Sequence, residues 1–383
     1  MSEGAAPLPP VLIFAPAAIG GIAEYVRYQA QELARRGCNV TVLCTPQFAA
    51  RPGDGFRREP ALLSVAGTSP AARALRVLAT VANYYKLAIF ILRTRARVVL
   101  LEANSDYHAL FWAWPHVLLA RFGVLYLANF HDPVREHRRG PRWLHRLNLR
   151  LSLAPLHGGL IHASPPAEAG LPERLVMRVV PHGLYTDYAR HERNVDLRAR
   201  LAIAPDALLV LAFGHIADRK NLDLLVRALA EVPEMVLVVA GAPSSRQDRP
   251  GSHYAALAEE LDVAARFRLA EGHVPDKDVS AWFASADVVA LTYSGQFVSQ
   301  SGVLQIAANW DRPVLASGGP GPLRDAVQAF GIGEWIEPDS VPAIVAGIAR
   351  MRKGGASHSE AFKAYREHAS WAKNIDGLIA IIS

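Results

Sequence analysis

Short apolar runs without polar alternation recur along the chain, and stretches with helical periodicity follow them. The first run covers residues 11–15 and leads to Gly20 and Gly21. Apolar positions then repeat at helical spacing over 23–36, up to a glycine at 37, before a second run at 40–43. Such runs are typical of strands buried on both faces of a parallel sheet. This order predicts a βαβ unit with a glycine turn after its first strand.

The pattern continues at 98–101 and 124–128 and then restarts past the middle of the chain. Apolar runs at 208–213 and 235–240 each end at a glycine and flank an amphipathic stretch at 222–231. Two more runs, 287–291 and 313–316, flank a predicted helix at 303–309. We therefore expect an α/β fold with two Rossmann-like parallel-sheet domains. Because ligands bind beyond the carboxyl ends of such strands, we expect the site in a cleft where the two domains face each other.

The chain of 383 residues is too long for a single hydrophobic core and long enough for two domains. We place an N-terminal Rossmann-like domain at 1–185, a polar linker at 186–206 and a C-terminal Rossmann-like domain at 207–355. The remaining segment, 356–383, is expected to be helical and to pack back on the N-terminal domain.

The composition, 51% hydrophobic and 20% charged, is that of a folded chain. No basic segment precedes an apolar run at the N-terminus, so we expect no secretory signal. The most apolar stretch, 77–92, is interrupted by Asn83 and Lys86 and falls short of the roughly 20 apolar residues that span a bilayer. We expect a cytoplasmic protein in which Cys38 and Cys44, lacking disulfide or metal spacing, are buried thiols.

The positive charge lies in the N-terminal half. Residues 1–190 contain 22 Lys+Arg against 12 Asp+Glu, whereas the rest contains 19 against 23. Basic residues concentrate at 73–97 and 135–150, interleaved with aromatic and aliphatic residues. Nucleic acid is the weakest partner, because no nucleic-acid-binding motif appears. Three alternatives remain for the basic residues. They could form a helix that lies on an anionic membrane surface, bind a phosphorylated substrate, or form a basic face that is simply solvated.

Three motifs resemble those of a known family. They are GGIAEYV at 20–26 followed by LARRGCNVTV at 33–42, FGHIADRKNL at 213–222, and QSGVLQIA at 300–307 followed by RPV at 312–314. In this order they are similar to the opening, the diphosphate-binding segment and the donor loop of family 4 (group 1) glycosyltransferases. The resemblance covers nearly the whole chain and implies the GT-B architecture. It also implies that the domain at 1–185 binds the acceptor and that the domain at 207–355 binds a nucleotide-sugar.

The resemblance implies catalytic or donor-binding roles for these residues. Lys220 and Arg219 would stabilise the leaving diphosphate, where a fixed cation acts mostly in the transition state. Gly20 and Gly21 would let the backbone and a helix N-terminus approach a phosphate, although paired glycines also simply make turns. Ser301 would act similarly together with Gly302, with plain N-capping by the serine as the alternative.

Two histidines follow the predicted strand at 124–128. By the resemblance, His131 would lie beside the donor sugar, and His137 would face the acceptor or be exposed. They lack a third metal ligand. The segment 181–184, PHGL, resembles the family's entry to the linker, with a structural role expected first. A DxD sequence at 276–278 opens a predicted helix, so capping explains it better than metal binding. We expect no metal and no cofactor.

The chain departs from the family pattern in its donor loop. The paired glutamates eight positions apart are replaced by Phe297 and Gln305, and Gln305 is expected to hold the ribose instead. His215 stands where the family usually has arginine and is only partly charged at neutral pH. With these changes, the chain resembles a divergent subgroup of the family.

We predict a glycosyltransferase that moves a sugar from a nucleotide-sugar to a glycan or polyprenyl-phosphate-linked acceptor. The family implies retention and a place in polysaccharide or glycolipid biosynthesis, at the inner face of the cytoplasmic membrane. One alternative is a binding or scaffold protein of the same fold that has lost catalysis. Another is a different GT-B enzyme, such as a nucleotide-sugar epimerase.

Overall fold

The computed structural model describes residues 7–17, 20–67, 69–102, 108–131, 141–164, 169–190, 196–243, 248–354 and 358–383. His137, the first part of the 135–150 basic cluster and part of the predicted linker lie outside the described residues. The chain forms two compact units: unit 1 is Met1–Gly183 with Ser370–Ser383, and unit 2 is Leu184–Ala369. Each is described by itself.

Unit 1 is built on seven strands: β1 (Val11–Ala15), β2 (Val40–Cys44), β3 (Arg57–Glu59), β4 (Val98–Leu101), β5 (Leu125–Phe130), β6 (Leu156–Ile161) and β7 (Val176–Val179). They pair in parallel in the order β3-β2-β1-β4-β5-β6-β7. The helices between them are α1 (Gly21–Arg35), α2 (Pro70–Thr94), α3 (Ala109–Arg121) and α4 (Arg142–Leu153).

Alternation along the strands gives the sheet of unit 1 two buried faces. Leu12 and Phe14 of β1 join a core with residues of α2, α3 and α4. Their neighbours Val11 and Ile13 join a second core with residues of α1. Because side chains of a strand point alternately to opposite faces, a strand covered on both sides must be apolar throughout. This is why the uninterrupted apolar run at 11–15 predicted a central parallel strand.

Unit 2 is built on six strands: β8 (Leu208–Phe213), β9 (Met235–Gly241), β10 (Phe267–Glu271), β11 (Val288–Thr292), β12 (Val314–Ser317) and β13 (Gly333–Trp335). They are parallel in the order β10-β9-β8-β11-β12-β13. Its helices are α5 (Leu197–Arg200), α6 (Leu222–Glu231), α7 (Gly251–Glu260), α8 (Val279–Ser285), α9 (Gly302–Ala307), α10 (Pro322–Phe330), α11 (Val341–Gly354) and α12 (Ser359–His368). The predicted α/β class with two parallel sheets is confirmed.

The last helix, α13 (Trp371–Ile382), belongs to unit 1 and packs on α1. The Trp371 indole stacks on Tyr28, with ring centroids 5.3 Å apart. The Asn374 amide donates to the Tyr25 hydroxyl at 2.7 Å and to the carbonyl of Pro181 at 2.9 Å. A buried polar network therefore fixes the chain terminus to the first helix of the unit.

The stretch that the sequence analysis judged too short for a bilayer is part of a longer helix. By length and composition alone, α2 could cross a membrane, since it has 25 residues and a mean hydropathy of 1.4 in its most apolar window. Asn83 does not interrupt it, because its side chain turns to the core and bonds both backbone groups of Leu63 at 2.7 and 2.9 Å. One face of α2 belongs to the unit 1 core.

The two cysteines are free and buried, as expected.

Candidate functional site

The carboxyl edge of the unit 1 sheet gathers the predicted N-terminal site residues. The chain runs from β1 to β2 and β3 on one side and then places β4 on the other side of β1. At such a switch point the loops diverge and leave a crevice. Gly20 follows β1, Glu102 directly follows β4 and His131 directly follows β5, so all three lie at this edge.

Gly20 occupies the N-cap position of α1 with φ +83°, and no side chain caps the helix there. Its carbonyl accepts from the backbone N–H of Glu24 at 3.1 Å. No atom lies within 4 Å of where a Cβ would stand, so it is the positive φ, rather than lack of space, that favours glycine. Gly21 begins the helix, whose positive dipole end therefore faces the switch point. This placement agrees with the predicted phosphate contact without testing it.

His131 lies where the sequence predicted, and its ring is held from two sides. It meets Tyr25 edge-on at 4.6 Å between centroids. Burial lowers the pKa of His131 to about 4, partly opposed by a hydrogen bond to the Glu102 backbone. Its Nε2 is buried and has no hydrogen-bond partner among the described residues. A neutral ring with an unsatisfied nitrogen can accept a hydrogen bond from a sugar hydroxyl.

Glu102 is a candidate that sequence reasoning missed. Its side chain is buried and accepts from the backbone N–H of Ala17, in the loop after β1, at 3.2 Å. Burial raises the pKa of Glu102 to about 7, and the Ala17 hydrogen bond opposes this shift. A buried carboxyl titrating near neutrality at a switch point is typical of functional sites. The available signal was a charged residue immediately after an apolar strand.

Two more histidines, His162 after β6 and His182 after β7, complete the edge. The His162 ring lies 5.7 Å from His131 and 5.1 Å from His182, centroid to centroid. Burial lowers the pKa of His182 well below its ordinary value, and His162 lowers it further. The three rings surround Tyr25. This cluster could not be predicted from the sequence, because its members are 20 or more positions apart in the chain.

The switch point of unit 2 lies between β8 and β11, which are neighbours in the sheet although β9 and β10 intervene in the chain. Lys220 sits there, in the turn between β8 and α6. Its Nζ donates to the carbonyl of Phe213, the last residue of β8, at 2.6 Å. The Thr292 hydroxyl, at the end of β11, donates to the Lys220 carbonyl at 3.0 Å. Both central strands therefore fix the position of this lysine.

The Lys220 and Arg219 side chains at this switch point are basic groups held close together. Burial lowers the pKa of Lys220 to about 7, and the charge of Arg219 adds to the shift. No carboxylate among the described residues forms an ion pair with either side chain. His215 is exposed beside them, and desolvation followed by the charges of Lys220 and Arg219 lowers its pKa. The arrangement is suited to an anion, which would restore the charge of Lys220.

Ser301 and Gly302 lie at the start of α9, close to Lys220: a Cβ on Gly214 would lie 3.6 Å from both the Lys220 Nζ and the Val303 Cγ2. The alternative that Ser301 merely caps the helix is wrong. Ser301 occupies the N-cap position, but its hydroxyl pairs with the Tyr293 hydroxyl at 2.9 Å and makes no cap hydrogen bond. The predicted phosphate contact stays a prediction.

The position of Gln305 does not favour the predicted contact with a ribose. Its side chain is fully buried, and its Nε2 donates to the Tyr365 hydroxyl at 2.8 Å. The same hydroxyl lies 3.1 Å from its Oε1. Phe297, at the other departure from the family pattern, stacks on Tyr293 with centroids 3.9 Å apart. In the described conformation both residues therefore serve packing.

The DxD sequence forms a 3-10 turn before α8. Asp278 stands at the N-cap position of α8, where its side chain makes no cap hydrogen bond. Within the described ranges, no group of three His, Cys, Asp or Glu side chains could hold a metal ion.

Comparison with known proteins agrees with the two-unit arrangement. The family described as Glycosyl transferase 4-like domain matches residues 20–156, and that described as Glycosyl transferases group 1 matches residues 195–369. D-inositol 3-phosphate glycosyltransferase of Mycobacterium tuberculosis is 28% identical over 235 residues, 57% of this chain and 44% of the relative. The chain thus matches less than half the length of this curated relative.

Two solved structures share the fold. A glycosyltransferase from Rickettsia africae superposes with a TM-score of 0.72 at 13% identity, covering 98% of both chains. Anabaena Alr3699/HepE, solved in complex with UDP, gives 0.70 at 17% identity, covering 97% of this chain and 99% of that one. With the two matched families spanning both units, and each unit built on a parallel sheet of GT-B type, this chain belongs to the group 1 glycosyltransferases of the GT-B fold.

Proposed function

We propose that this protein transfers a sugar from a nucleotide-sugar donor to a glycan or polyprenyl-phosphate-linked acceptor, with retention, in polysaccharide or glycolipid biosynthesis. The observation that carries the proposal is the uncompensated cation pair of Lys220 and Arg219 at the unit 2 switch point. A diphosphate is the anion that such a site at the end of parallel strands suits. The similar Anabaena protein, solved with UDP, supports this ligand class.

In this proposal the leaving diphosphate gains charge as the glycosidic bond breaks. Lys220 lies partly desolvated beside it, so its attraction grows with that charge and lowers the barrier. Arg219 adds a second cation, and His215 contributes a neutral hydrogen-bonding ring. The backbone at Ser301 and Gly302 holds phosphate oxygens. No metal is required, because these cations take the role that a metal would have.

Unit 1 carries the other predicted groups at its own switch point. The start of α1 at Gly20 and Gly21 offers a positive helix end to a phosphate. His131 accepts a hydrogen bond from a sugar hydroxyl through its unsatisfied Nε2. We place the enzyme in the cytoplasm, where its basic N-terminal half would meet an acceptor carried on a membrane lipid phosphate.

The test is a titration of the purified chain with UDP-, GDP- and TDP-linked sugars, followed by calorimetry and thermal stabilisation. We expect micromolar binding of one donor and its loss in Lys220→Ala. Transfer to an added acceptor would then separate the glycosyltransferase from an epimerase of the same fold.

A non-catalytic binding protein is the second candidate, favoured by Phe297 and by the buried amide of Gln305. If folded protein bound none of the donors, the proposed transfer activity would be abandoned in favour of this candidate.

A further inference from the structure

Helix α2 carries an exposed apolar stripe opposite its core face. Leu78, Tyr85, Ile89 and Leu92 recur at spacings of seven, four and three residues, so they lie on one side of the helix. Leu92 is 66% exposed. On the other side, Tyr84 and Leu87 are buried in the unit 1 core. A helix of an isolated soluble domain normally carries polar residues on its outer face, so this stripe needs a partner.

The stripe continues onto α3. Phe111, Trp114, Leu118 and Phe122 are spaced to share one side of α3 and its C-cap, and Trp114 and Phe122 are 66% and 73% exposed. The Tyr85 hydroxyl donates to the carbonyl of Phe111 at 2.9 Å, which joins the two stripes. Single exposed apolar residues are ordinary, but a continuous patch of large ones marks an interaction surface.

Helix α4 packs beside α3 and adds cations to this surface. Its exposed side alternates basic and apolar residues: Arg142, Trp143, Arg146, Leu147 and Arg150. Within α2, α3 and α4 there are eight Lys or Arg residues and no Asp or Glu. No ion pair joins Arg121, Arg146 or Arg150 to a carboxylate in the described part of the chain.

Between α3 and α4 these arginines line a groove of about 710 Å³. Its apolar wall includes Val117, Leu149 and Leu153, and its basic wall includes Arg121, Arg146 and Arg150. Arg174, at the same groove, is engaged with the carbonyls of Leu153 and Leu156 and caps the end of α4. The groove thus offers both cations and an apolar floor, which match a lipid phosphate and its adjoining chains.

We infer that the outer face of α2, α3 and α4, here called the α2–α4 face, binds the surface of an anionic lipid bilayer. The exposed residues of the α2 and α3 stripes insert at the boundary of headgroups and acyl chains, and the arginines meet lipid phosphates. A protein partner would need an acidic surface with a large apolar centre, whereas an anionic bilayer presents both properties over its whole area.

The α2–α4 face lies on the membrane and does not cross it. Although α2 has the length of a span, the side chains of Tyr84, Leu87 and Ile91 are buried in the unit 1 core. Crossing a bilayer would remove them and leave the Asn83 amide without the backbone of Leu63. Both changes would unfold unit 1, so an interfacial position is the one that agrees with its fold.

The test is sedimentation of the full chain with vesicles of phosphatidylglycerol and phosphatidylcholine, compared with phosphatidylcholine alone. One variant removes apolar contacts, Leu78→Ser with Leu92→Ser and Trp114→Ser. Another neutralises the groove, Arg121→Gln with Arg146→Gln and Arg150→Gln. Matched controls are Val179→Ser, exposed in unit 1 outside these helices, and Arg227→Gln, exposed in unit 2.

We expect binding selective for phosphatidylglycerol and weakened by salt. Each lost arginine should reduce the partition coefficient about fivefold, so that the groove variant binds roughly a hundredfold more weakly. The apolar variant should also lose binding, while both controls bind as the unmodified chain does. As a second measurement that leaves packing intact, lipid-borne bromine should quench tryptophan fluorescence, and Trp114→Phe should reduce that quenching.

The inference is overturned if the unmodified chain ignores anionic vesicles or if the variants bind them equally well. It is also overturned if light scattering shows a dimer that the same variants dissociate, since the face would then join two copies of the chain. Vesicle binding is measured without donor, so its outcome is independent of the proposed transfer activity.

Discussion

The ammonium group of Lys220 donates to the carbonyl of Phe213 at 2.6 Å, and so stands at the carboxyl end of the first strand of unit 2. Lys220 follows β8 by seven positions, and the intervening turn folds back to bring its side chain to the strand end. A backbone carbonyl orients the ammonium group but carries no full charge. The lysine is therefore positioned for an anion, because no carboxylate among the described residues pairs with it.

We expect Lys220→Ala to lower the rate of sugar transfer by roughly 10²-fold or more, the usual effect of losing one preorganised group that stabilises developing charge. The measurement is turnover with the donor that binds, alongside circular dichroism to show that the fold survives. Arg227→Ala, which removes an exposed cation of α6, should leave turnover unchanged. Undiminished turnover in Lys220→Ala would remove this residue from the mechanism.

Donor binding should take up a proton above neutral pH. The pKa of Lys220 is about 7 in the free protein, and a bound diphosphate raises it by favouring the charged form. Between about pH 7 and the raised value, binding therefore adds a proton, and affinity falls as pH rises. Calorimetry at pH 8 in two buffers of different ionisation enthalpy measures this uptake.

Lys220→Arg is the matched variant for that experiment, since arginine stays protonated throughout. Its binding should show little proton uptake. The same uptake in both proteins would mean that another group titrates.

The buried Glu102 should make stability depend on pH. Its pKa is about 7 in the folded chain and 4.5 ordinarily, so between these values the folded state holds a proton that the unfolded state releases. The stability contributed is complete below pH 4.5 and is lost as pH rises through 7. Glutamine does not titrate, so Glu102→Gln should not lose this stability. From pH 5 to pH 8 the free energy of unfolding of the variant should therefore rise by up to about 3 kcal/mol relative to that of the unmodified chain.

Urea unfolding at both pH values measures this difference, in which the other titrating groups cancel. Glu173→Gln, an exposed glutamate of unit 1, serves as control and should show no such gain. A pH-independent difference for Glu102→Gln would contradict the raised pKa.

Any side chain at Gly183 should destabilise the fold, because a Cβ there would overlap the Trp371 indole. That ring cannot simply move, since it stacks on Tyr28 and meets Tyr25 edge-on at 4.9 Å. Gly183→Ala should therefore destabilise the chain by about 1–3 kcal/mol in chemical denaturation. Adding Trp371→Leu makes room for the methyl group, so the two changes should be less destabilising together than the sum of each alone. Strict additivity would show that the two residues do not compete for space.

Tyr365→Phe distinguishes the packing role of Gln305 from the predicted ribose contact. It leaves the buried amide without its hydroxyl partner and should cost about 1–3 kcal/mol of stability. Replacing both partners, with Gln305→Leu and Tyr365→Phe, should recover part of this loss. We expect the donor affinity of the single variant, measured by calorimetry, to stay within about twofold of that of the unmodified chain. A tenfold change would restore Gln305 to the donor site.

The sequence predicted the central strands because their burial is a property of local composition. A strand covered on both faces, such as β1 or β8, must be apolar at every position. Such an apolar run can be recognised from a few consecutive residues. The edge strands β3 and β13 carry no such run, since each has three residues and a half-exposed pattern. Their pairing depends on the neighbouring strand, and so they were missed.

Some residues of the candidate site could likewise be predicted from the sequence, and others could not. Gly20 and Lys220 could be found because their role follows from a local order of strand, turn and helix. His131 could be found as well, from the family resemblance. Glu102 and the grouping of His131 with His162 and His182 could not, because adjacent parallel strands bring together residues far apart in the chain.

By itself, the sequence determined the α/β class, the two parallel sheets and the strand ends that carry the candidate chemistry. Only the tertiary structure decided where each side chain turns. Gln305 bonds a tyrosine 60 positions away, and Asn374 joins a tyrosine of the first helix across 349 positions. The physical reason is that backbone elements follow from short-range periodicity, whereas the direction and pKa of a buried polar group depend on partners that only folding brings near.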